Sequence, residues 1–132
     1  MNQELNQFLS NFKILTEEEI SIIAEGTNTK NFRKGDVVLT SEAEYASNYI
    51  SFLQAQKRRG IIIKVIPNDK HGQVDVEALS LMITKQVKLI AITYIPTNGG
   101  LINPAVAVGK IARKNKIPYL LDACQAVGQI PI

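Results

Sequence analysis

The chain has 132 residues, 45% hydrophobic and 20% charged, which is the balance of one folded globular domain rather than of a disordered protein. The formal net charge is only +3, and the one basic run, Lys57-Arg58-Arg59, suits a helix C-terminus better than a nucleic-acid surface. A single cysteine, Cys124, excludes an internal disulfide and a cysteine-based metal site and predicts a cytoplasmic protein, and no apolar run is long enough for a membrane span.

Residues 1–34 are predicted to form a short helical segment. Thr16 and Glu19 have capping-box spacing, and Leu15 and Ile20 can close a hydrophobic staple around that box. The predicted apolar face and the glycine expected to end the helix are Ile20, Ile23, Ala24 and Gly26.

From Gly35 onward, strand and helix patterns alternate. The predicted elements are strand 36–40, helix 46–60, strand 61–66, helix 75–84, strand 88–95, helix 103–115 and strand 117–122. Asp75 and Asn103 are expected to cap the second and third of these helices. Ala46, Ile50 and Leu53, with Tyr49 and Phe52 beside them, recur at helical spacing. This alternation predicts an α/β fold with βαβ units and a parallel sheet.

Polar residues follow three of the predicted strands. Because parallel strands end at one edge of a sheet, segments 40–48, 94–98 and 122–125 are expected to converge there. Asp122 with Gln125 three residues later suits a ligand site, but the same spacing is typical of a helix cap. No glycine-rich phosphate motif follows any strand, so a dinucleotide or nucleoside triphosphate is disfavoured and another planar heteroaromatic ligand is favoured.

Several ordered motifs together resemble one family. They are Gly35-Asp36-Val37-Val38-Leu39-Thr40, Glu44-Tyr45-Ala46-Ser47-Asn48, Ile92-Thr93-Tyr94-Ile95-Pro96-Thr97-Asn98-Gly99-Gly100, Asn103-Pro104 and Asp122-Ala123-Cys124-Gln125. This pattern over residues 35–132 is similar to the class V aminotransferase and cysteine desulfurase family, which uses pyridoxal 5'-phosphate. The resemblance implies part of the fold-type I large domain, an amino-acid substrate and a possible homodimer.

The resemblance also implies roles for five cofactor-binding residues. Asp122 would face the pyridine nitrogen, and Gln125 would bind the 3'-hydroxyl group of the cofactor. Tyr45 occupies the place of a stacking ring that is often histidine. Thr97, and after it Asn98, fall where many members contact the same hydroxyl group. On sequence alone, Tyr45 can equally be a packing aromatic, and Thr97 and Asn98 can simply shape a turn.

No catalytic residue is assigned, because the family's Schiff-base lysine follows a Ser/Gly-His sequence that does not occur in these 132 residues. The resemblance therefore implies a domain that is inactive alone. Tyrosine in place of histidine disfavours desulfurase chemistry and leaves transamination, lyase or epimerase chemistry open.

The N-terminal segment carries a second, shorter resemblance. Residues 8–39 are similar to the start of a cyclic-nucleotide-binding domain of cyclic AMP receptor-like regulators, and both resemblances share Gly35 to Leu39. The predicted domains are therefore 1–34 and 35–132, with a junction near Gly35. Two alternatives remain open: a non-enzymatic sensor or interaction module, and a degenerate fusion product without selected activity.

Overall fold

The structure is a computed structural model that describes residues 7, 10, 11, 16–20 and 30–131. The chain divides into two compact units, residues 1–31 and residues 32–132. In the first unit, Glu19 Oε2 accepts a hydrogen bond from the Thr16 N–H at 2.8 Å, and Thr16 Oγ1 accepts one from the Glu19 N–H at 3.3 Å. These bonds confirm the predicted capping box. The predictions for Leu15, Ile23, Ala24 and Gly26 lie outside the described residues.

The second unit alternates strands and helices, as the sequence predicts. In chain order the elements are β1 (Val37–Ser41), α1 (Ala46–Arg59), β2 (Ile62–Ile66), α2 (Val76–Met82), β3 (Val87–Thr93), α3 (Ala105–Lys114) and β4 (Tyr119–Asp122). Each predicted strand and helix of this unit is present, with ends that differ by a few residues.

The four strands form one parallel sheet in the order β2-β1-β3-β4, which confirms the predicted α/β fold. The connection after β1 leads to β2 at one edge of the sheet, and the connection after β3 leads to β4 at the other edge. Right-handed crossovers therefore place α1 on one face and α2 and α3 on the other. In such a sheet the ligand crevice lies where the strand order reverses, here beyond the C-terminal ends of β1 and β3.

The apolar core lies on the face that carries α2 and α3. Strand residues Leu39, Ile66 and Ile90 are fully buried there against Leu79 of α2 and Val108 of α3. Each such side chain contributes about 1.5–3 kcal/mol relative to an exposed position. This packing supports the strand ends that carry the polar residues.

Helix α1 ends where the sequence predicts, and its apolar residues differ in exposure. Gly60 ends the helix as predicted, with a φ of 66° and its N–H bonded to the Gln56 carbonyl oxygen at 2.8 Å. Of the apolar residues that recur at helical spacing, Ile50 is 58% exposed and Leu53 is 44% exposed. Helix α1 carries apolar residues around much of its circumference, and its half-buried positions include Phe52. The periodicity of the sequence alone does not decide which side of α1 packs against the sheet.

The predicted caps of α2 and α3 have different outcomes. Asp75 caps α2, because its Oδ1 accepts from the Glu77 and Ala78 N–H groups, both at 2.9 Å. The N-cap of α3 is Pro104, which has no side-chain cap, so the prediction for Asn103 is wrong.

Asn103 instead joins two other parts of the unit. Its Oδ1 accepts from the Val74 N–H at 2.9 Å, and its Nδ2 donates to the Thr93 carbonyl oxygen at 2.8 Å. The side chain is only 3% exposed. These buried backbone groups need partners, and that need overrides the local capping preference.

Candidate functional site

The centre of the site is Glu44, which follows β1 and precedes α1. Its Oε2 accepts hydrogen bonds from the Thr93 N–H at 3.1 Å, from Ser41 Oγ at 3.0 Å and from Thr40 Oγ1 at 3.2 Å. Thr40, Ser41 and Thr93 are buried at the C-terminal ends of β1 and β3. Glu44 thus joins β1 and β3 at the point where the strand order reverses.

The other oxygen of Glu44 binds the start of α1. Oε1 accepts from the Tyr45 N–H and from Asn48 Nδ2, both at 3.1 Å, and from the Thr93 hydroxyl group. The Tyr45 N–H also approaches Thr93 Oγ1 at 3.3 Å. The beginning of α1 is therefore held directly over the end of β3.

Asn48 extends this network to Asp122. Asn48 Nδ2 donates to Asp122 Oδ2 at 2.6 Å, and Asp122 Oδ1 accepts from the Cys124 N–H at 3.1 Å. The Cys124 N–H, the Cys124 thiol and the Asn48 amide lower the pKa of Asp122 below its ordinary value. Asp122 is therefore an ionised, half-buried carboxylate at the C-terminal end of β4.

The structure bears on the helix-cap interpretation of Asp122. One oxygen binds the N–H two residues later, as a helix cap would, while the other oxygen faces Asn48. The following segment, residues 124–129, consists of turns rather than a regular helix. The hydrogen bond from the Cys124 N–H uses Oδ1 and leaves Oδ2 of Asp122 for other partners.

The five predicted cofactor-binding residues fall into two groups. Asp122 and the backbone of Tyr45 belong to one hydrogen-bond network, and the Tyr45 side chain is 47% exposed. Thr97 and Asn98 lie in an exposed turn after β3, and Gln125 is exposed in the turn after β4. In the described part of the chain, the side chains of these three form no hydrogen bond with the Asp122 network.

Sequence reasoning assigned no role to Glu44 or Asn48, although both lie in a motif that it quoted. Their four-residue spacing across the start of α1 allows the two side chains to meet. Two hydroxyl residues at the end of β1 also indicated a nearby acceptor. The link to Asp122 had no local indication, because 74 residues separate Asn48 from it.

The donor and acceptor groups fit the ring of pyridoxal phosphate. Asp122 accepts from the Asn48 amide and from the N–H of Cys124, with the Cys124 thiol as a third donor. A carboxylate has about four lone-pair sites, so one remains for a protonated ring nitrogen. The partly exposed Tyr45 ring can stack on a flat ligand. Among the described residues, no group of three or more His, Cys, Asp or Glu side chains could hold a metal ion.

The fold and this carboxylate define a doubly wound α/β domain with a polar site at the C-terminal edge of its sheet. The family model Aminotransferase class-V matches residues 12–132, and the chain belongs to this family. Class V aminotransferases and cysteine desulfurases depend on pyridoxal phosphate and have the fold-type I architecture.

Curated relatives and solved structures agree with this assignment. The chain is 31% identical over 117 residues to a probable cysteine desulfurase of Methanothermobacter thermautotrophicus, covering 89% of this chain and 28% of the relative. It is 31% identical over 112 residues to the cysteine desulfurase of Salmonella newport, covering 85% and 28%. The chain thus spans about 28% of the length of these two relatives.

The structure superposes on cysteine desulfurase CsdA of Escherichia coli with a TM-score of 0.72 and 20% identity. The match covers 76% of this chain and 25% of CsdA, and it shows a common fold.

The family match also covers much of the N-terminal segment, since it begins at residue 12. The predicted similarity of residues 8–39 to a cyclic-nucleotide-binding domain, and the predicted junction near Gly35, stay predictions. None of the helices in the described ranges is both long and apolar enough to cross a membrane.

Proposed function

We propose that this chain forms the ring-binding part of a pyridoxal-phosphate site in a class V enzyme that acts on amino acids. The observation that carries the proposal is Asp122, an ionised carboxylate at the C-terminal end of β4, next to β3, where Asn48 and the Cys124 N–H hold it. When bound, pyridoxal phosphate supplies an electron sink for chemistry at the amino-acid carbon. A carboxylate beside the ring nitrogen keeps that nitrogen protonated.

The other predicted residues have supporting roles in this proposal. The Tyr45 ring stacks on the cofactor, and its main chain is fixed by Glu44 and Thr93. Gln125 donates to the 3'-hydroxyl group, and Thr97, with Asn98 beside it, is a further contact for the same group. Their exposed positions at the C-terminal edge of the sheet support these roles.

The reaction class follows from what these residues can do. Tyr45 provides a ring for stacking but has no imidazole that exchanges protons near neutral pH. We therefore retain transamination, lyase or epimerase chemistry, although the reported relatives are named cysteine desulfurases. Because these residues lack the family's lysine motif, we expect no turnover from them alone. A homodimer and an amino-acid substrate belong to the same proposal.

Binding of pyridoxamine 5'-phosphate tests the role of Asp122. This probe carries an amine in place of the aldehyde, so its binding needs no lysine. We expect Asp122→Asn to weaken binding about tenfold or more in a calorimetric titration, because a charge-assisted hydrogen bond is lost.

The matched control is Asp36→Asn. Asp36 Oδ2 also accepts a backbone N–H, that of Arg33 at 2.7 Å, but it lies before β1 at the opposite edge of the sheet. It should leave the affinity unchanged. Equal affinity of Asp122→Asn and the unaltered chain would overturn the role of Asp122.

Borohydride reduction after incubation with pyridoxal phosphate tests the expected lack of turnover. We expect scattered, low labelling of lysines in peptide mass spectra. One dominant labelled lysine that is lost in Asp122→Asn would overturn the expectation that the chain is catalytically incomplete.

A further inference from the structure

One side-chain amide joins the two carboxylates of the site. Asn48 Nδ2 carries two hydrogens and has two acceptors, Glu44 Oε1 at 3.1 Å and Asp122 Oδ2 at 2.6 Å. Rotation of the amide by 180° would direct its oxygen at both carboxylates. The orientation of Asn48 is therefore determined by its two partners.

Glu44 is the fixed end of this bridge. It accepts six hydrogen bonds, which exceeds the roughly four lone-pair directions of a carboxylate. Three of its partners, Thr40, Ser41 and Thr93, are buried strand residues. The Glu44 side chain therefore cannot swing towards solvent without leaving buried donors unpaired.

Asp122 is the adjustable end. It lies at the end of the four-residue strand β4 and is half-buried, and its contacts other than Asn48 are both local, the N–H and the thiol of Cys124 in the following turn. The Cys124 contact holds Oδ1 but leaves rotation about the side-chain bonds possible. The Asn48 contact removes that freedom and fixes Oδ2 as well.

We propose that Asn48, held in place by Glu44, is a positioning residue that fixes the orientation of the Asp122 carboxylate. The inference deepens the proposed function, since that function gives this carboxylate to the ring nitrogen of the cofactor. Asn48 also donates to both carboxylates, and its amide therefore offsets part of the repulsion between them.

The first test measures the orientation of Asp122 without any cofactor. Three-bond NMR couplings across its Cα–Cβ bond should report one rotamer in the unaltered chain and averaged rotamers in Asn48→Ala. The pKa of Asp122, followed through its side-chain ¹³C signal, should rise in that variant, because a hydrogen bond to the charged form is lost.

The matched control is Gln54→Ala, which removes an amide from an exposed position of the same helix. It should change neither the couplings nor the pKa of Asp122. Glu44→Gln provides a second variant of nearly identical shape. It should average the rotamers of Asp122 although Asn48 is present, because the amide loses its charged anchor.

The second test measures binding of pyridoxamine 5'-phosphate to the same variants. Asn48→Ala should weaken binding about tenfold, because a carboxylate of Asp122 that is free to rotate forms a poorer charge-assisted hydrogen bond with the ring nitrogen. Unchanged couplings in both Asn48→Ala and Glu44→Gln would overturn the positioning role. Averaged couplings together with normal binding by Asp122→Asn would support that role and overturn the proposed function instead.

Discussion

At the scale of single residues, Asp122 and Cys124 alter each other's ionisation. The Cys124 N–H stabilises the charged form of Asp122 and lowers its pKa. In return, the thiol donates to Asp122 and faces its negative charge, and both effects raise the pKa of Cys124. Cys124 is solvent-exposed, so chemical modification can report on the state of Asp122.

We predict slow alkylation of Cys124 by iodoacetamide at neutral pH. The thiolate is the reactive form, and a raised pKa leaves less of it at a given pH. The midpoint of the rate against pH should lie above that of an ordinary thiol and should fall in Asp122→Asn. Mass spectrometry follows one adduct, because the chain has one cysteine. The same midpoint in Asp122→Asn and the unaltered chain would contradict the prediction, and Asp36→Asn is the control.

At the scale of elements, the segment between β3 and α3 depends on Asn103. Its side chain pairs the Val74 N–H with the Thr93 carbonyl oxygen, so it connects the chain before α2 to the end of β3. The Asn103 N–H also donates to the Tyr94 carbonyl oxygen at 2.8 Å. Asn103 therefore stabilises the end of β3, where Thr93 donates to Glu44.

We predict that Asn103→Asp lowers the free energy of unfolding by about 2–4 kcal/mol, measured by urea denaturation. A carboxylate cannot donate to the Thr93 carbonyl oxygen, and its charge would be buried. Asn115→Asp is the matched control, because Asn115 also donates to a carbonyl oxygen, that of Ile111, but is exposed. We expect it to cost less than about 1 kcal/mol. Similar losses in both variants would contradict a specific role for Asn103.

At the scale of the whole second unit, apolar side chains remain exposed on the face opposite the core. Leu120 of β4 is 53% exposed and pairs in register with Ala91, and Val65 of β2 is 39% exposed. Strands β2 and β4 are the edges of the described sheet, with backbone groups free to pair with another strand. Such a surface favours association between chains.

We predict that Leu120→Lys reduces self-association at high protein concentration, measured by light scattering after size exclusion. A charge on an edge strand opposes edge pairing, and stability should change by no more than about 1 kcal/mol because the site is exposed. Leu81→Lys is the control, since Leu81 is 87% exposed on helix α2. An equal reduction by both variants would indicate a general charge effect and contradict the role of the β4 edge.

The sequence by itself determined the order and type of the elements and the parallel sheet. Strand alternation, the Asp75 cap and the Gly60 stop are local features, and alternating strands and helices restrict the connections to right-handed crossovers. The motif around Asp122 also predicted a ligand site at the C-terminal edge of the sheet, and Asp122 lies at that edge. These features depend on neighbours within a few residues, so they can be inferred without coordinates.

Only the tertiary structure decided which face of α1 meets the sheet, what Asn103 binds, and how Glu44, Asn48 and Asp122 are connected. Each depends on partners brought together by strand register and crossovers: Asn48 reaches across 74 residues to Asp122, and Asn103 across 29 to Val74. Buried donors and acceptors must find partners at those distances in the sequence. That requirement overrides the local preference of Asn103 for a helix cap, and it accounts for the long-range hydrogen bonds of the site.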